Sequence, residues 1–203
     1  MLIYYGVSKM YNTTLADMLW HVSAKPLVNA RCLLLIAVGV FLLTVSSYLM
    51  IPLPFSPVPV TMQTAAVSLI GLTYGRRLGA MTVAAWLIAG SFGMPVFSYG
   101  ARYGIPIFLP TGGYLIGYFL VANLCGYLAE KGWANDFGRL TFALFLSALL
   151  IYIPGLAQLS LFVKGDVFMM GCYPFLIGDI AKAALVIALL PPVCRWIQKH
   201  QAS

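Results

Sequence analysis

Charge is scarce in this sequence. Of 203 residues, 12 are Lys or Arg and only five are Asp or Glu, 8% in all. Soluble domains carry about 25% charged residues, so this chain lacks the charge to cover a water-facing surface, and lipid must face much of it. Histidine is scarcer still. His21 and His200 stand alone, which leaves no cluster of imidazoles for catalysis or metal binding. The four cysteines, Cys32, Cys125, Cys172 and Cys194, form no CxxC pair and lie in or beside apolar segments. They read as small buried hydrophobes rather than metal ligands or disulfide partners. No GxxxxGK[ST] phosphate loop and no HExxH pair is present, so the chain does not hydrolyse ATP by the usual route. Gly90-Ser91-Phe92-Gly93 meets the serine-hydrolase elbow pattern only in part, since Ala89 precedes it and no histidine is near. Residues 1–30 lack the basic start, apolar core and small-residue cleavage site of a signal peptide. With Asp17, Trp20 and Lys25 among them, they read as a cytoplasmic or interfacial lead-in.

What is present is apolar: 62% of the residues are hydrophobic. A membrane-spanning helix needs about 20 apolar residues, so the chain holds six or seven spans and no separate catalytic domain. Six runs stand out, at about 31–51, 60–75, 79–97, 111–129, 138–163 and 171–196. The expectation is an all-α integral membrane protein with a six-helix transmembrane domain at 31–197. An even number of spans puts both termini on one side. That side would hold Lys9, Lys25, Arg31, Arg76, Arg77, Lys131, Arg139, Arg195 and Lys199, nine basic residues, against Arg102 and Lys164 on the other. Such asymmetry marks the nine-residue side, and both termini, as cytoplasmic. The same scatter argues against nucleic acid as a partner, because the net charge of +7 is spread singly along the ends of apolar runs.

The expected outer loops are unlike plain connectors. The first reads Ile51-Pro52-Leu53-Pro54-Phe55-Ser56-Pro57-Val58-Pro59, and its prolines forbid helix and stiffen an extended apolar segment. Pro54, Phe55 and Pro57 suit a lid over a cavity that opens outward; alternatively, the prolines simply end helices at the interface. The second, about 98–110, carries Tyr99, Arg102, Tyr103 and Pro106 and runs into Pro110-Thr111-Gly112-Gly113-Tyr114. Free N–H groups at that helix start suit an anion or a urea-like carbonyl, although the glycines equally permit close packing. Arg102 is placed either to clamp a carboxylate or to bind lipid headgroups.

Asp179 and Lys182 are the sharpest signal. They lie inside the last run, in Gly178-Asp179-Ile180-Ala181-Lys182-Ala183, where each charge costs roughly 2.5–3.5 kcal/mol near a helix centre. Their i, i+3 spacing places them on one face, very roughly 12–17 Å below the outer end of the run. A ligand pocket and a purely structural ion pair both fit. In a pocket, Lys182 would meet a carboxylate and Asp179 would accept N–H donors. Gln63 and Thr61 at the start of the second run, and Asn123 inside the fourth, either line such a pocket or bond a neighbouring helix. Gly79, Gly90 and Gly93 fit helix packing.

Three segments resemble the BioY family of biotin transport proteins: residues 51–64, from the proline loop through Thr61-Met62-Gln63-Thr64; Pro110-Thr111-Gly112-Gly113-Tyr114-Leu115; and Pro174-Phe175-Leu176-Ile177-Gly178-Asp179-Ile180-Ala181-Lys182-Ala183. They occur in family order with family-like spacing from about residue 35 to 190. The resemblance implies a six-helix substrate-binding (S) component of an energy-coupling-factor (ECF) transporter, needing no cofactor. Such a subunit binds biotin from outside and works with a membrane coupling protein and two cytoplasmic ATPases. It also implies that Asp179 and Lys182 form the site motif, and that Arg102 lies close to a family arginine. Members carry an Ala-xxx-Ala patch in the first helix for docking the coupling protein; here Ala37 is followed by Phe41, with Gly39 the other small residue. Three rivals stand beside this reading: an S component for another carboxylated vitamin, a membrane-embedded enzyme, and a channel or structural bundle. The polar inventory is poor for an enzyme, and no polar stripe runs along several helices as a channel requires.

Overall fold

In the computed structural model, residues 14–16, 25–98 and 108–201 are described. Most of the lead-in and the stretch bearing Tyr99, Arg102, Tyr103 and Pro106 lie outside them. The described chain is helical: α1 (Lys25–Tyr48), α2 (Gln63–Ser91), α3 (Gly112–Glu130), α4 (Phe137–Leu159), a short α5 (Val167–Gly171) and α6 (Tyr173–Gln201). Two residue pairs form the one small sheet among the described residues, β1 (Met50–Ile51) antiparallel to β2 (Val60–Thr61), with Met50 opposite Thr61. They close the proline segment into a hairpin loop.

Among the described residues, four stretches are long and apolar enough to cross a membrane: residues 29–48 in α1, all of α3, all of α4, and 167–197 across α5 and α6. Among the described residues α1 runs from Lys25, earlier than the apolar run. α5 is capped by Asp166, whose carboxylate accepts from the N–H groups of Phe168 (2.9 Å) and Met169 (3.3 Å).

The second and third apolar runs both fall on α2, which breaks at Gly75 (φ 80°, ψ 178°). That backbone region is essentially closed to residues with a Cβ. The two legs, 63–74 and 76–91, double back. A Cβ placed on Gly79 would lie 3.2 Å from the Cα of Gly71, whereas eight residues along one straight helix span about 12 Å. Glu130 completes the turn by accepting the Arg76 N–H (2.8 Å), which puts a carboxylate at the start of the second leg, where the helix dipole favours it.

Glycine governs the rest of the packing. Cβ atoms on Gly113 and Gly117 of α3 would come within 2.0 Å of the Pro154 carbonyl oxygen and 2.8 Å of the Ile151 Cα in α4. A Cβ on Gly126 would lie 2.4 Å from the Cα of Arg76, and one on Gly71 2.8 Å from the Cys125 Cβ. α3 is therefore the central helix, touching α2 and α4 backbone to backbone as small residues allow in membranes. Gly79 and Gly90 also pack closely, but Gly93 meets nothing within 4 Å and instead supplies a turn at φ 86°. α1 and α6 are peripheral, and Leu34, Val38, Phe41 and Leu42 of α1 are exposed.

Gly75→Ala should lower the thermal stability of the detergent-solubilised protein by about 1–3 kcal/mol, the cost of a strained backbone position. The added methyl also meets the Thr14 Cγ2 at 2.5 Å. A melting temperature equal to that of the wild type would contradict the assigned turn.

Candidate functional site

The charged pair sits six and nine residues into α6, about 9 and 14 Å from its start, slightly shallower than the apolar run alone suggests. Lys182 Nζ donates to Asp179 Oδ1 at 2.9 Å, and the two side chains are 10% and 19% exposed. A carboxylate in lipid needs more than one partner, and two other helices supply them. Thr64, on the first leg of α2, donates its hydroxyl to Asp179 Oδ1 (3.3 Å) and lies 3.3 Å from Lys182 Nζ, whose N–H also points to it. Tyr152 of α4 donates its hydroxyl to Asp179 Oδ2. Hydrogen bonds to a charged group contribute about 1.5–3 kcal/mol each, so these contacts orient the carboxylate rather than merely adjoin it. An ammonium has three donors. The Asp179 and Thr64 contacts occupy two, and the third has no partner among the described residues.

Thr61 and Gln63 lie at the same end of α2. The Thr61 hydroxyl donates to Gln63 Oε1 at 3.1 Å, and both residues are buried. Tyr118 of α3 lies against Thr61. Tyr114 is buried and donates its hydroxyl to the Gly171 carbonyl (2.8 Å), tying the start of α3 to α5. Its ring fills the space a side chain on Gly155 would need. Thr111 is the N-cap of α3, but its side chain makes no cap bond. Gly112 and Gly113 are buried in the packing of that helix start, Gly113 directly against Pro154. Asn123 does not join the group. Its amide donates to the Phe119 carbonyl one turn back (3.0 Å), satisfying the side chain within its own helix. Arg102 lies outside the described residues.

The proline loop is anchored by Ser56. Ser56 is buried and donates its hydroxyl to the Met170 carbonyl of α5. The Ser56 N–H bonds the Leu53 carbonyl (3.3 Å), and this tight turn rotates the residues around it. Val58 and Pro59 consequently point in with Ser56, while Pro54, Phe55 and Pro57 point out. An apolar cavity of about 540 Å³ lies at the opposite, Gly75 end of the bundle, lined by Leu15, Leu35, Leu69, Tyr74, Leu190 and Val193 among others. It contains none of the polar group above and offers a charged ligand nothing.

Sequence reasoning missed Thr64 and Tyr152. Tyr152 is the one polar side chain between Ser147 and Gln158 in an otherwise apolar stretch, and that isolation was the available signal.

Comparison with known proteins places the chain in a family. Residues 18–199 match the BioY family. The chain is 35% identical over 155 residues to the protein named "Biotin transporter BioY" of Thermotoga maritima, covering 75% of this chain and 80% of that one. It is 37% identical over 153 residues to the protein of the same name from Rhizobium etli, covering 69% and 79%. Its fold is similar to that in a crystal structure described as the S-component for biotin from an ECF-type ABC transporter, with a TM-score of 0.72 and 23% identity over 85% of this chain and 95% of that one. An apolar chain of several spans, matched to one family across most of its length, is a multi-pass membrane protein that belongs to the BioY family.

Proposed function

We propose that this chain binds biotin from outside the cell membrane and carries it inward as the S component of an ECF-type transporter. It is a transport subunit, not an enzyme. The observation that carries the reading is the buried Asp179–Lys182 pair, completed by Thr64 and Tyr152 in a membrane chain. The names of its relatives support it. The contact between the two charges refines the roles expected from the sequence. Because they touch, one end of the ligand must satisfy both. The ureido head of biotin presents N–H donors for Asp179 beside a carbonyl acceptor for the third hydrogen of Lys182. The carboxylate, at the far end of the pentanoate tail, then needs donors elsewhere.

Binding of labelled biotin to the purified wild type tests the reading as a whole. Lys182→Met should weaken biotin and biotin methyl ester alike, each by roughly ten- to a hundredfold, the loss of a charge-assisted bond. If the variant stays folded and loses affinity only for free biotin, Lys182 serves the carboxylate. If Asp179→Asn with Lys182→Met binds biotin normally, the pair is structural and the site assignment fails.

The proline loop serves as the lid. Its Ser56 anchor on α5 and its inward Val58 support this, since excluding water strengthens the polar contacts beneath. Replacing residues 53–58 with a Gly/Ser linker should speed biotin release; unchanged binding and release rates would sink the idea.

The membrane domain, residues 31–197, crosses six times. The two legs of α2 count as short spans packed on α3, and both termini are cytoplasmic. The nine-to-two division of basic residues supports this orientation. The membrane coupling protein would dock on the exposed stripe of α1 that includes Ala37 and Phe41, with two cytoplasmic ATPases beyond it. A cysteine at position 203 should react with impermeant reagents only after the membrane is opened; labelling in intact cells would contradict the topology.

A further inference from the structure

Trp86 has no exposed surface, and its indole N–H has no hydrogen-bond partner among the described residues. A buried, unmade donor costs about 1–3 kcal/mol, and such a group in a native fold calls for an explanation.

Its position supplies one. The legs of α2 touch at Gly71 and Gly79, and a Cβ on Gly79 points at the first leg. Seven residues make nearly two helical turns. Trp86 therefore repeats the direction of Gly79, facing the first leg about 10 Å further from the turn. Thr64 lies the same seven residues before Gly71. Trp86 is thus at the depth of Thr64, which bonds Asp179 and lies beside Lys182. Phe97 packs against the indole, with ring centroids 4.6 Å apart in an edge-on contact. Gly90 leaves the space that Phe97 fills.

We propose that Trp86 donates its indole N–H to the carboxylate of the bound ligand. This rests on the reading that the ligand is biotin with its ureido head on Asp179 and Lys182. That pair sums to zero charge, so the carboxylate enters as an uncompensated anion and must find donors within the site. Trp86 offers one at the right depth on another helix, set apart from the pair. Neighbouring helices lie about 8–10 Å apart, a separation suited to a ligand whose polar ends are joined by an extended apolar tail.

Trp86→Phe keeps the apolar bulk and removes the donor. Replacement by β-(3-benzothienyl)alanine, which exchanges the N–H for sulfur, keeps the whole ring shape should the phenylalanine variant fold poorly. In either variant, affinity for free biotin should fall about tenfold or more, affinity for biotin methyl ester, whose carbonyl accepts only a weaker neutral bond, should fall severalfold less, and the ligand-free protein should melt no lower than the wild type. Equal weakening of acid and ester, or no weakening of either, overturns the assignment; the latter would mean that a trapped water satisfies the indole. A wild type that binds acid and ester equally also overturns it. A wild type that binds neither defeats the biotin reading itself, which the comparison thereby keeps separate.

Discussion

Two charges buried in lipid set the terms for the rest of this molecule. Asp179 and Lys182 each carry a desolvation cost near a helix centre of roughly 2.5–3.5 kcal/mol. Their mutual contact offsets only part of it, because a carboxylate has more lone pairs than one ammonium can fill. Thr64 and Tyr152 supply the remainder from α2 and α4, and their arrival fixes how α6 lies against the bundle. α6 needs such a tether. Few residues of the 167–197 stretch are buried, so apolar packing alone holds it weakly, and lipid tails compete for the same surface.

The other helices are held differently. α3 is mostly buried and meets its neighbours through its own Gly113, Gly117 and Gly126 and through Gly71 of α2, where any side chain would collide with backbone. In a bilayer no hydrophobic force drives helices together, so close backbone approach is the principal source of contact energy. The molecule thus divides into a tightly packed α2–α3–α4 unit and two looser helices, α1 and α6. The polar group straddles the boundary, with Thr64 and Tyr152 on the tight side and the charges on the loose side. The anchor of the proline loop spans a similar boundary, since Ser56 precedes α2 and bonds α5, which leads into α6.

Much of this was legible in the sequence, for reasons that separate the successes from the misses. Apolar runs and the buried pair are one-dimensional signals: a charge inside a run of Leu, Ile and Ala is conspicuous whatever surrounds it. A helix start drifted by a few residues where capping overrode hydropathy, as at Asp166. The partners of the pair were harder to find, because a hydroxyl such as that of Thr64 or Tyr152 acquires meaning only when another helix brings a carboxylate to it. Gly113 had two readings in sequence, and its contact with Pro154 is a fact of packing that no spacing encodes. Which loop side chains are buried follows the Ser56 turn rather than the number of prolines. Asn123 bonds its own backbone, an outcome open to any lone amide in a helix.

The pair also constrains what kind of ligand the site can take. With no ligand, Asp179 and Lys182 already neutralise each other, and Tyr152 and Thr64 fill most of the remaining bonds. A group that only accepts hydrogen bonds would gain the third hydrogen of Lys182 and leave the carboxylate as it was. A group that only donates would add to the carboxylate and leave that hydrogen unmade. A urea-like head does both at once from one rigid ring edge, so it extends the network without breaking the ion pair that holds α6 in place. A carboxylate brought to the same spot would compete with Asp179 for Lys182, put two anions against one cation, and undo the contact on which the helix arrangement depends. On the proposed reading, recognition of such a ligand would divide between a neutral hydrogen-bonding head at the pair and a charged tail met by separate donors. A site built this way would admit molecules that carry both features at the right separation and disfavour those that carry only one.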